Sequence, residues 1–178
     1  MTLRIPRLRV LAAALALTMT SAFVLGAATD ADADQSRVTI HRVTIPAAHF
    51  QPTSSLWTYV NAGDKVYSTA GNANFLAPIP YSYDGTGHVF ITRVELLAYD
   101  DAMSSSVCAN LWRGEPGIGG GTLMGSACTL DSANDPQSVV LLPAVRRVNA
   151  GQRAYLLVAL ADPSVDLYGV RVTYTTNP

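Results

Sequence analysis

The chain has 178 residues, 49% hydrophobic and 14% charged, with a formal net charge of −1. That balance fits one soluble domain preceded by a leader, and it excludes a wholly disordered chain. It also excludes a strongly basic protein of the kind that neutralises phosphates.

The leader comes first. Arg4, Arg7 and Arg9 precede an uncharged apolar run from Val10 to Leu25, and the small residues Gly26, Ala27 and Ala28 follow. This is the layout of a secretory signal peptide over 1–28, with cleavage after Ala28 or as late as Ala33. The run is shorter than the roughly 20 residues that cross a bilayer as a helix, so no membrane span is expected after cleavage. A secreted or periplasmic location is the expectation. Residues 29–36 are acidic and alanine-bearing and read as a disordered linker, leaving 37–178 as the folded domain. From Asp34 onward the basic residues fall from 12 to 9 and the acidic ones from 13 to 11. Lys65 is then the one lysine and Arg146-Arg147 the one adjacent basic pair, so nucleic acid is not an expected partner.

Beyond the linker, apolar residues alternate at period two and are interrupted by Gly, Pro, Asn and Asp. The first expected strand is Arg37 to Ile45, with Val38, Ile40 and Arg42 on one face, and Pro46 ends it. Leu56 to Asn61 follows, with Trp57 and Tyr59 on one side, then short strands at Val66 to Ser68 and Asn74 to Ala77. Pro78 and Pro80 confine the next stretch to an edge or loop. The clearest strand is His88 to Tyr99. Strict alternation sets Phe90, Val94, Leu96 and Ala98 on one face, and Ile91, Arg93, Glu95, Leu97 and Tyr99 on the other, where Arg93 and Glu95 can pair. Val107 to Arg113, Thr122 to Leu130, Ser138 to Val148, Arg153 to Ala161 and Leu167 to Thr175 complete the set. The stretch Tyr155 to Ala161 is apolar on both faces and reads as a central strand. Eight to ten strands without helices between them point to an all-β antiparallel sandwich, jelly-roll-like in type.

Three segments carry a further resemblance: the strand Ile91 to Asp100, the strand Val107 to Arg113 with its Leu111-Trp112-Arg113 ending, and the terminal Leu167 to Tyr174. Together they resemble uncharacterised secreted bacterial β-sandwich proteins over about Val38 to Thr175. The resemblance implies a compact β domain outside the cytoplasm and brings no activity with it.

Cys108 and Cys128 are the chain's two cysteines, and in an exported protein they read as one disulfide. Antiparallel pairing that sets Cys108 against Cys128 also sets Asn110 against Ser126 and Trp112 against Met124. Nucleophilic catalysis finds no support, since Gly125-Ser126-Ala127-Cys128 lacks the closing glycine of a nucleophile elbow. Nor do Asp100 and Asp101 make a glycosidase pair, because adjacent strand residues face opposite ways. No cofactor is demanded. A structural calcium ion is the one that the loop carboxylates Asp100, Asp101, Asp162 and Asp166 would suit, against the competing reading of ordinary Asp turns.

Aromatic residues offer the remaining chemistry. Tyr81 and Tyr83 lie between Pro80 and the Asp84-Gly85 turn, and with Trp57 and Trp112 they are the candidates for stacking on sugars, against the competing reading of core packing. The chain thus reads as a secreted, non-catalytic β-sandwich with a binding or structural role. A carbohydrate-binding, lectin-like module is the alternative and a small secreted hydrolase the next. The partner is left open by the sequence, with a glycan or a cell-envelope component as the candidate.

Overall fold

A computed structural model describes residues 38–82, 87–101, 105–115, 120–129 and 133–176. The expected signal peptide and linker, Tyr83, and most of the glycine-rich loop after Glu115 lie outside these residues.

Twelve strands are formed among the described residues: β1 (Thr39–Pro46), β2 (Gln51–Pro52), β3 (Tyr59–Asn61), β4 (Val66–Ser68), β5 (Ala73–Pro78), β6 (His88–Asp100), β7 (Val107–Gly114), β8 (Thr122–Cys128), β9 (Ala133–Leu141), β10 (Arg147–Asn149), β11 (Arg153–Leu160) and β12 (Val165–Thr176). The single helical element among them is a 3-10 turn at Ala47–His49. All strand pairings are antiparallel. One sheet has seven strands, running β10-β6-β12-β4-β3 with β1 also on β12 and β9 also on β6. The other has five, in the order β2-β5-β11-β7-β8. The protein is therefore an all-β, two-sheet antiparallel sandwich. The doubly apolar Tyr155 to Ala161 stretch indeed lies in the middle strand of its sheet.

Between the sheets lies one apolar core that includes Phe50, Phe75, Val94, Leu96, Leu111, Leu156 and Leu167, all within 1% of full burial. Every second residue of β11 is buried, as period-two side-chain alternation requires. Ser138 to Val148, expected as one strand, is two. β9 pairs with β6 up to Leu141, the chain breaks at Leu142-Pro143, and β10 pairs with the start of β6.

Strict alternation fails at three one-residue bulges, and each redirects side chains. In β6, Arg93 pairs with Thr173 but Ile91 pairs with Tyr174, so Thr92 is the extra residue. Ile91 is consequently buried, and Phe90 stands on the outer face rather than beside Val94. A bulge lets two residues oppose one, and this reverses the face of everything that precedes it. In β12, Tyr168 is the extra residue between Leu167 and Gly169. Gly169 then adopts φ +149°, and a Cβ there would lie 2.7 Å from the Ile45 carbonyl oxygen, so only glycine lets β1 approach.

The third bulge lies in the cysteine hairpin. Cys108 and Cys128 are bonded and face each other, and Asn110 faces Ser126. Trp112, however, faces Leu123 and not Met124. Met124 turns into the core at 1% exposure, and its carbonyl accepts the amides of Ala144 and Val145. The disulfide ties the edge strand β8 to β7. Closing a loop of this length contributes about 3 kcal/mol in the chain-entropy model. The unfolded, unreduced protein should show no titratable thiol, and Cys108→Ser with Cys128→Ser should lose roughly that stability in urea denaturation. Two reactive thiols in the parent, or an unchanged midpoint in the variant, would contradict the bridge.

Candidate functional site

A cleft opens at one side of the sandwich, where β1 and its 3-10 turn approach the end of β5 and the turn before β11. Its volume is about 1140 Å³. Three separate segments contribute. Thr44, Ile45, Ala48, His49 and Gln51 come from the first, Pro78 to Tyr81 from the second, and Gly151 to Arg153 from the third.

The prolines shape this end. Pro78 is the last residue of β5, opposite Tyr155, and the Ile79 amide still bonds the Ala154 carbonyl. Pro80 has no N–H with which to extend the ladder. The Tyr81 hydroxyl takes over: it donates to the Gln152 carbonyl at 3.0 Å and accepts the Ala154 amide at 3.1 Å. The ring also meets Tyr174 edge-on at 6.3 Å, and Tyr174 in turn stacks on His41 at 4.9 Å. Tyr81 is thus fixed and half-buried, and it is one of the residues that line the cleft. Gln152 is also engaged, its side-chain oxygen accepting the Asn149 amide.

Around this ring the cleft is apolar at Ile45, Pro78 and Ile79, with polar side chains at His49, Gln51 and Arg153. The last three make no hydrogen bond to any described residue. A few convergent polar groups on an apolar floor is the general composition of a ligand site. None of the described residues lining the cleft carries a carboxyl or thiol group. The arrangement can orient and desolvate a ligand, and it offers no pair of acids to hydrolyse one.

The other sequence candidates lie elsewhere. Trp57 is in the turn before β3, packed against the core, with Nε1 donating to Thr53 Oγ1 at 3.2 Å. Trp112 is on the outer face of the five-stranded sheet beside Tyr155. Neither lines the cleft. The acidic candidates are dispersed, and among the described residues no three His, Cys, Asp or Glu side chains converge as a metal site. Asp100 is wholly buried and accepts hydroxyl hydrogen bonds from Ser105 (2.9 Å) and Thr129 (2.6 Å). Asp101 is exposed. Asp162 accepts the amide and hydroxyl of Ser164, whose hydroxyl lies 3.2 Å from that of Ser105. Asp166 forms an ion pair with Lys65 at 2.9 Å, and this hydrogen bond raises the Lys65 pKa above the usual lysine value.

No family model matches the chain, and no curated protein does. Among solved structures, the chain is similar to the C-terminal CBM6 of the laminarinase LamC from Zobellia galactanivorans (TM-score 0.46, 14% identity, 75% of this chain and 99% of that one). It is also similar to a CBM6 from Clostridium stercorarium in complex with cellobiose (0.43, 12% identity, 76% and 92%). A third is a carbohydrate-binding module of lichenase 5A from Cellvibrio mixtus with cellotriose (0.41, 15% identity, 73% and 95%). No residue role is carried from them to this chain.

Proposed function

We propose that this protein is an exported, non-catalytic carbohydrate-binding module whose cleft beside Tyr81 takes a neutral glycan. The observation that carries this reading is the lining itself. A fixed aromatic ring and apolar walls offer a sugar's C–H face a surface, while His49, Gln51 and Arg153 offer hydrogen-bonding groups to its hydroxyls. Sugars present both kinds of surface at once, and a site with both discriminates by leaving its polar groups unpaired when the wrong ligand enters.

Array screening of the purified protein against neutral oligosaccharides, followed by calorimetry on any hit, tests this. A saturable interaction is expected. Gln51→Ala combined with Arg153→Ala should weaken it about tenfold or more, because each lost ligand hydrogen bond costs about 1 kcal/mol and 1.4 kcal/mol is a factor of ten. An array without a saturable hit, or a double variant that binds like the parent, would sink the proposal.

A further inference from the structure

The outer face of the seven-stranded sheet gathers arginines that are far apart in the chain. Its strand registers define the rows. Arg42 of β1 pairs with Thr173 of β12, which pairs with Arg93 of β6. The next row sets Thr44, Arg171 and Glu95 side by side, and on the other side Phe90 stands between Thr175 and Arg147. The bulge at Thr92 makes this possible, since it brings Phe90 out to the face that Arg93 already occupies.

Glu95 is the carboxylate among these arginines. Arg93 reaches it at 2.6 Å and Arg171 at 3.0 Å, and both arginine side chains keep nearly half of their surface exposed. Hydrogen bonding and charge from Arg93, then from Arg171, hold the Glu95 pKa below the usual carboxylate value against the opposing effect of desolvation. Arg42 and Arg147 are exposed and have no ion-pair partner among the described residues. Two of the four guanidinium groups therefore share one carboxylate and two have none, in a chain whose acidic residues outnumber its basic ones. Asp166, on the same sheet opposite Tyr99, is paired with Lys65.

We propose that this face binds a polyuronate, a polysaccharide carrying carboxylates at regular intervals. Guanidinium groups pair readily with carboxylates, and Glu95 already holds two of these arginines, Arg93 on one carboxylate oxygen and Arg171 on the other. Arg42 and Arg93 stand two strand spacings apart, about 10 Å, with a threonine hydroxyl between them. Guanidinium groups thus alternate with a hydroxyl across the strands on one face of the sheet, which suits an extended sugar chain lying across them. A nucleic acid would call for several rings open to stack its bases, whereas beside these arginines Phe90 is met edge-on by His88.

The test is affinity electrophoresis of the purified protein in gels containing polygalacturonate, neutral hydroxyethylcellulose or no polymer, with Kd values from titration. Polygalacturonate should retard the protein, and raising salt from 0.05 to 0.5 M should weaken binding at least about tenfold as screening shortens the reach of the charges. Arg42→Gln with Arg93→Gln and Arg171→Gln should weaken it by a similar factor or more. Arg42→Glu alone, at an unpaired exposed position, should weaken it several-fold with an unchanged melting temperature. Neutral-glycan binding at the cleft should survive both changes, so failure of this inference is separable from failure of the cleft reading. Polyuronate binding that is absent, or that ignores these substitutions, overturns the proposal. So does a single-stranded oligonucleotide that binds more tightly than polygalacturonate and is lost in the same variants.

Discussion

Replacing Asp100 by alanine is expected to destabilise the domain by about 3–4 kcal/mol, because buried hydroxyl donors lose their acceptor. The residue ends β6 with no exposed surface, and it receives Thr129 on one carboxyl oxygen and Ser105 on the other. Thr129 is itself buried and uses the same hydroxyl oxygen to accept the Val107 amide, so it holds the start of β7 as well. Ser105 continues through Ser164 to Asp162, linking the two connections at this end of the sandwich. Removing the carboxyl leaves Thr129 with a donor aimed at a void. For a domain of this size the unfolding midpoint should drop by roughly 10 °C in a thermal melt. Asp100→Asn keeps one acceptor oxygen and should lose about half as much. A midpoint for Asp100→Ala within about 2 °C of the parent would show that the network is incidental. A calcium-dependent rise in the parent's midpoint, lost in this variant, would instead make the residue a cation ligand.

What could be read from the residues, and what could not, divides along the register. Alternation exposed the strands, the even cysteine count exposed the bridge, and Arg93 next but one to Glu95 exposed their ion pair. Each of these depends on near neighbours in the chain. The bulges at Thr92, Met124 and Tyr168 depend on which partner strand lies opposite, and one inserted residue turns Phe90 outward and Met124 inward. The cleft depends on three segments separated by dozens of residues, so His49, Gln51 and Arg153 carried no local signal. Pro78 and Pro80 did mark the neighbourhood of Tyr81. The arginine face was hidden in the same way, since Arg42, Arg93, Arg147 and Arg171 are never adjacent in the chain. Their clustering exists only once β1, β6, β10 and β12 are in register. Counting basic pairs along the sequence therefore missed this gathering of arginines among the described residues.

Tyr81→Ala is the other substitution from which a large effect is expected, and its comparison with Tyr81→Phe separates packing from recognition. Tyr81 completes a ladder that Pro80 interrupts, and the Ala154 amide that it satisfies is nearly fully buried at 1% exposure. Alanine removes the ring contact with Tyr174 and both hydrogen bonds, so a loss of about 3–5 kcal/mol is expected in urea denaturation. Phenylalanine keeps the ring and strands the amide, which should cost about 1–2 kcal/mol. Binding should follow a different order. If the ring is the surface on which a sugar rests, phenylalanine retains glycan affinity within a few-fold while alanine abolishes it, measured below the melting temperature of each variant. A folded alanine variant that binds as tightly as the parent would leave Tyr81 as a closure of the sandwich end and remove it from the site. An alanine variant as stable as the parent would refute the ladder argument itself, since the Ala154 amide would then have to be satisfied without the tyrosine hydroxyl.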